Sequence, residues 1–208
     1  MPYLLKLCLP GILLLSQQAF SCECLWQGSF SKAYKKADLI VSGSVTAGKG
    51  NSVDFSIDRT HYDRRVNFTE FNSTIRVWGD NGKLCRPRIE NFPVGTQWVM
   101  SLTKITSDIP DNGFNPNTPN MSYGRLNDYY LSKCGANWLR LEEGLVTGNL
   151  VKGHRWEWEN KNMNPVLLEL IDAYIKEIIP EQALVEAAKP LTETKKLMQE
   201  TKRFLRQQ

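Results

Sequence analysis

Leu39-Ile40-Val41 with Val45, Val53-Asp54-Phe55-Ser56-Ile57, Ile75-Arg76-Val77-Trp78 and Trp98-Val99-Met100-Ser101-Leu102 follow one another between Asp38 and Thr103. Each is a short apolar run rich in β-branched and aromatic side chains, which suit a pleated, half-buried surface better than a helix. Gly43, Gly48 and Gly50, then Gly79-Asp80-Asn81-Gly82, then Pro93 and Gly95 supply turns between the runs. A succession of short strands bounded by turn residues predicts a small all-β barrel.

Outward from these strands the pattern continues and then changes. Ser107 to Asn120 is polar and holds three prolines, so it reads as a long surface loop. Tyr129 to Cys134 and Asn137 to Glu142 read as two further strands, with Leu145 to Val151 as a candidate last one. On the amino-terminal side, Phe30, Ala33 and Tyr34 recur at helical spacing and predict a short helix over Ser29 to Lys36. The expected fold class is therefore mainly β: a five- to six-stranded barrel of the OB type with a short N-terminal helix, followed by a C-terminal α-helical extension. In that extension Pro165 suits a first helical turn, and Leu167, Leu168, Ile171, Ile175 and Ile178 recur at intervals of three and four up to Pro180. Gln182 to Lys189 predicts a second helix and Pro190 opens a third, with Leu191, Leu197, Met198, Phe204 and Leu205 as its apolar stripe. The barrel is expected over residues 22–155 and the extension over 156–208.

The chain ends carry different information. Lys6 precedes an apolar stretch from Leu7 to Leu15, too short to span a bilayer, and Ala19-Phe20-Ser21 matches a small-x-small cleavage pattern. Residues 1–21 thus read as a signal peptide cut before Cys22, and the protein is expected to be secreted or periplasmic. Lipid attachment to Cys22 is disfavoured, because Ala19 stands where the lipoprotein pattern wants leucine and bulky Phe20 follows. No later segment has eighteen consecutive apolar residues. The final helix carries Lys195, Lys196, Lys202, Arg203 and Arg206 against Glu193 and Glu200, a basic amphipathic pattern that suits peripheral contact with an anionic membrane, a partner helix, or a helix folded back on its own barrel.

Of five cysteines, Cys8 leaves with the signal and Cys22, Cys24, Cys85 and Cys134 remain. In an oxidising compartment four cysteines read first as two disulfides. A Cys22–Cys24 bridge across one extended residue conflicts with the preferred Cα separation, so two pairings survive. Because residues i and i+2 of an extended segment share a face, both cysteines can be fastened to one surface, each to a different loop or strand. Chain ends are normally loose, so a doubly fastened one suggests that its position matters.

Cys22-Glu23-Cys24, then Ala33-Tyr34-Lys35-Lys36-Ala37-Asp38-Leu39-Ile40-Val41 and Gly43-Ser44-Val45, resembles the tissue inhibitors of metalloproteinases and the wider netrin-like module. Val77-Trp78-Gly79, Cys85, Phe92-Pro93-Val94-Gly95 and Cys134 continue the resemblance, which covers residues 22–142. It implies the pairings Cys22–Cys85 and Cys24–Cys134. Lys35 stands where the family has its third cysteine, and the downstream partner is absent too. The family's cysteine-rich second half is replaced by the helical tail after Asn160.

The resemblance also implies a function. The Cys22 α-amine and carbonyl oxygen would chelate the zinc of a target metalloprotease, with Glu23 directed to its specificity pocket and Cys24 completing the contact. No cofactor of the chain's own is expected. The alternative is a non-inhibitory netrin-like interaction module that binds another envelope or extracellular protein. A third reading uses Trp26, Trp78, Trp98 or Trp138 as stacking platforms for nucleic acid, but a net charge of +4 argues against it. An enzyme is not expected: Gly-x-Ser-x-Gly, His-Glu-x-x-His and a phosphate-binding glycine loop are all missing, and only His61 and His154 could serve as imidazole bases. His154 with Arg155, Glu157 and Glu159 reads as an exposed charged turn. Asn67, Asn72 and Asn120 stand in glycosylation triplets, a number expected by chance.

Overall fold

The computed structural model describes residues 22–64, 73–106, 122–151, 155–160 and 162–190, and in the tail Leu197, Glu200, Thr201 and 203–205. The proposed signal peptide, the Ser107–Asn120 loop, His154 and the three glycosylation asparagines lie outside these residues. Strands β1 (Leu39–Lys49), β2 (Ser52–Asp63), β3 (Thr74–Trp78), β4 (Gln97–Lys104) and β5 (Tyr129–Tyr130) run in the order β1-β2-β3-β5-β4, and β4 returns to pair with β1. That last pairing closes a five-stranded barrel, antiparallel except for β3 against β5. Closure removes the unpaired edges that an open sheet would expose.

The sheet does not stop at the barrel. β6 (Trp138–Glu142) pairs with β4, β7 (Leu145–Thr147) with β6, and β8 (Val166–Leu167) with β7. Register shifts along β1 after Ile40, Ser42 and Val45 bend it so that it can serve both β2 and β4. Gly43 sits at one of these bends, where a Cβ would run into the Ser56 carbonyl of the neighbouring strand.

Strand alternation separates two cores. Leu39, Val41, Phe55, Met100 and Leu102 point into the barrel. Ile40, Val99 and Leu139, their neighbours in the alternation, point outward and form a second core with Phe30, Ile171 and Leu184. The elements that cover this outer face are α1 (Phe30–Ala33, continued as a tight helical turn to Lys36), α2 (Leu168–Ile175) and α3 (Glu181–Ala187). The two leading amides of the α1 turn are satisfied by the carbonyls of Asn149 and Leu150, at 2.9 Å each. The Tyr174 hydroxyl of α2 donates to the Ser31 carbonyl at 3.0 Å, and Ser31 Oγ donates to Glu181 of α3 at 2.9 Å. The helical extension is thus built onto the barrel wall.

Several element boundaries differ from the sequence reading, among them the first helix of the extension, which ends at Ile175 rather than running up to Pro180. The strand expected over Tyr129 to Cys134 is only Tyr129–Tyr130, because Ser132 to Asn137 turns locally, with the Ser132 hydroxyl accepting from the Cys134 amide at 3.1 Å. The strand expected over Leu145 to Val151 ends at Thr147. The helix expected from Pro165 begins at Leu168, since Val166 and Leu167 are taken up as β8 against Val146 and Leu145. A sheet edge with open hydrogen-bonding groups outcompeted the first helical turn. In the tail, the helical residues Leu197, Phe204 and Leu205 are 66%, 60% and 64% exposed, so their side chains lie largely in solvent.

Candidate functional site

From Cys22 to Trp26 exposure alternates: Cys22, Cys24 and Trp26 are half-buried while Glu23 and Leu25 are exposed. This is the two-residue periodicity of an extended chain whose inner face is fastened down. Two bridges do the fastening. Cys22 is bonded to Cys85 with a Cα separation of 5.3 Å, and Cys24 to Cys134 with 5.8 Å. Both separations fall in the usual range for a disulfide. Of the two pairings open to the residues alone, this is the one that the resemblance implies.

The bridgeheads are independently shaped. Cys85 ends a loop after β3 in which the Asn81 side-chain oxygen accepts from the amides of Lys83 and Leu84, at 3.1 and 3.0 Å. Asp80 likewise accepts from the Gly82 amide at 2.8 Å. Arg86, next in the chain, is buried; it donates to the Tyr123 carbonyl at 2.8 Å and lies 4.5 Å from the Tyr130 ring centre. Burial lowers its guanidinium to about 10, with Tyr130 and Asp80 acting in the opposite direction. The two bridgehead loops are tied to each other by the Lys133 amide donating to the Cys85 carbonyl at 2.9 Å. The Gln27 amide donates to the Cys134 carbonyl at 2.6 Å. Gly135 allows this approach, because a Cβ there would stand 2.9 Å from that of Ala33 and 3.1 Å from that of Gln27.

An aromatic wall backs the segment. Trp26 packs on Trp156 and Trp158 at 5.4 and 6.1 Å between ring centres, Trp158 lies parallel to Trp138, and Phe92 meets both Trp138 and Trp98 edge-on. Trp98, Trp138 and Trp158 also line a cavity of about 560 Å³ with Arg140, Glu159 and Met163. The stacking-platform reading of the tryptophans meets a physical obstacle. Trp78, Trp98 and Trp138 are all buried, with Trp78 donating to Asp128 at 2.8 Å, and Trp26 is half-buried against Trp156 and Trp158.

A second polar constellation was not visible in the sequence. His61 on β2 lies with Nδ1 2.8 Å from Asp172 Oδ1 on α2 and with Nε2 3.0 Å from Ser42 Oγ on β1. With Asp172 ionised, Nδ1–H donates to the carboxylate and Nε2 accepts from the hydroxyl. The order Ser, His, Asp is that of a hydrolytic relay. Its placement is not: Ser42 and His61 are buried between the barrel and α2, so the hydroxyl reaches no substrate. The group fastens α2 to the barrel. Burial lowers the His61 pKa; Asp172 acts against this, and Arg59 and Lys176 add to it. Although burial pushes the Asp172 carboxyl upward, hydrogen bonds from Lys176 and His61 hold it below its ordinary value. The three residues are separated by 19 and 111 positions, so no local motif could have announced them.

No family model matches the sequence, no curated protein matches it, and no solved structure matches it.

Proposed function

We propose that this chain is an exported inhibitor of a zinc metalloprotease, of the kind found in the tissue inhibitors of metalloproteinases, acting through its processed amino terminus. The observation that carries the reading is the doubly bridged Cys22-Glu23-Cys24 segment, which presents Glu23 and Leu25 to solvent from a fixed backbone. Removal of the leader before Cys22 would leave an α-amine one bond from a bridged Cα. The amine nitrogen and carbonyl oxygen of one residue close a five-membered chelate on a metal. An α-amine pKa near 8 lets zinc displace the proton at neutral pH, and catalytic zinc keeps a coordination position open for such a ligand. Fixing the end beforehand removes the ordering cost that a free terminus would meet on binding.

Glu23 restricts the target. Its carboxylate would enter the pocket beside the zinc, and burying a charge in an apolar pocket without a partner is strongly unfavourable. The proposed target is therefore a protease whose pocket carries a cation. The same exposed carboxylate favours a second reading, a non-inhibitory netrin-like module that binds another envelope or extracellular protein. Inhibition assays across a panel of zinc proteases, with the Cys22 amine free and acetylated, separate the two. Inhibition abolished by acetylation is the expected result, whereas inhibition by neither form leaves the second reading.

A further inference from the structure

Leu197, Thr201, Phe204 and Leu205 are helical and recur at i, i+4, i+7 and i+8, which puts them on one face of the helix in the tail. Arg203 stands on the opposite side and lines a cleft with Glu142 and Glu143 of the β6–β7 hairpin and with Val94 and Pro165. The charged side of this helix is therefore turned toward the barrel and its apolar side away from it, in keeping with the exposure of Leu197, Phe204 and Leu205. A helix folded back to complete a core is oriented the other way. That is the case for α2 and α3, whose Ile171 and Leu184 point inward.

The outward face is prepared to leave water. Its polar member, Thr201, donates its hydroxyl to the Leu197 carbonyl at 2.8 Å, so the donor is satisfied within the helix. Charge selects what covers the face. From Leu191 to Gln208 the sequence carries Lys195, Lys196, Lys202, Arg203 and Arg206 against Glu193 and Glu200. An excess of positive charge beside an apolar stripe draws the helix to an anionic lipid surface, where each basic residue near the headgroups strengthens binding about fivefold. Long Lys and Arg side chains reach those headgroups from the flanks of a buried stripe. A protein seam fits less well, because a partner helix would meet Thr201 between Leu197 and Phe204, where a coiled coil needs an apolar knob. An apolar stripe along one side, rather than around the whole helix, is the pattern of a helix lying in the interface plane.

We propose that this tail docks the chain on an anionic phospholipid surface. Leu197, Phe204 and Leu205 enter the boundary between headgroups and acyl chains, and the barrel is carried on the aqueous side. The contact is separate from the bridged amino terminus and needs no change in the fold, since the face already points away from the barrel.

The test measures cosedimentation of the full exported chain, bridges intact, with vesicles of phosphatidylcholine and phosphatidylglycerol at two to one, and with vesicles of phosphatidylcholine alone. Binding to the anionic vesicles should exceed binding to the neutral ones about tenfold or more, and should fall steeply in high salt. Leu197→Gln combined with Phe204→Gln leaves the charge unchanged and should weaken binding to the anionic vesicles about tenfold or more. Because both side chains lie largely in solvent, that variant should unfold at the same urea concentration as the native chain. Absence of binding, equal binding to the two kinds of vesicle, or equal binding by the native chain and the variant would overturn the proposal. So would a dimer formed without lipid and abolished in the variant, measured by sedimentation equilibrium, because a second copy would then cover the face. None of these readouts involves a protease, so failure here leaves the inhibitor reading untouched, and the reverse.

Discussion

The amino-terminal segment from Cys22 to Gly28 and the helical extension from Met163 to Ala188 both lie against the same barrel, but they are held there by different forces. The first is crosslinked twice and still leaves Leu25 83% exposed. The second has no crosslink and buries Ile171 and Leu184 completely, with the His61–Asp172 contact beside them. A segment held by burial must turn its apolar side chains inward, and what remains outside is whatever water tolerates. A segment held by sulfur is free of that demand and can keep side chains in water for a partner. That is the physical reason to look for function at the first and for stability in the second.

The comparison breaks most sharply if the bridges are removed. They close loops of 63 and 110 residues, so in the chain-entropy account each contributes about 4–5 kcal/mol. Cys85→Ser paired with Cys22→Ser, measured by urea unfolding, should lower stability by that amount. Hydrogen exchange should rise most from residues 22 to 28, while α2 and α3 change only through the global term. An equal rise in both regions would mean that the extension depends on the amino-terminal bridges.

The extension should instead respond to pH. His61 has a lowered pKa in the folded state, so the folded chain binds this proton more weakly than the unfolded one. The stability it contributes is complete above the unfolded value of 6.5 and declines as pH falls below it. A single proton sets a slope of at most about 1.4 kcal/mol per pH unit. The lowered Asp172 carboxyl acts in the same direction further down, from 3.8 toward its folded value. His61→Gln should flatten the first part of this profile. Asp172→Ala should cost about 1–3 kcal/mol at neutral pH by leaving the buried imidazole N–H without its acceptor. Thermal unfolding from pH 7.5 to 5 checks both, and a profile unchanged by His61→Gln would mean that other groups dominate the acid response.

How much of this was legible follows the same division. The barrel strands could be read because alternation and turn residues are local signals, and Leu39, Val41, Phe55 and Met100 fall where that alternation puts them. Cys22, Cys24, Cys85 and Cys134 could be read as two bridges on the expectation of export, though the residues left two pairings open. What escaped was non-local. Val166 and Leu167 carry a helical pattern and yet form β8, because the open edge of β7 lies beside them in space. His61 was set aside as one of only two histidines, and its partners Ser42 and Asp172 come from two other elements. Exposure at Glu23 was foreseeable from the two-residue period once Cys22 and Cys24 were assigned to the inner face.

The smallest expected effect on stability is also the one that sharpens the comparison furthest. Glu23 is exposed, and surface substitutions of this kind stay within about 0.5 kcal/mol. Glu23→Thr should therefore unfold at the same urea concentration as the native chain. Its inhibition of proteases with an apolar pocket should nevertheless improve, because a buried carboxylate without a partner is replaced by a small hydroxyl that can find one. Against a protease with a cation in that pocket the order should reverse, since the substitution removes the charge that the cation would pair with. A segment held by crosslinks can thus change its partner without changing its stability. Inhibition constants for the two proteins against both classes of enzyme measure this separation directly, and equal constants throughout would show that Glu23 never enters the pocket.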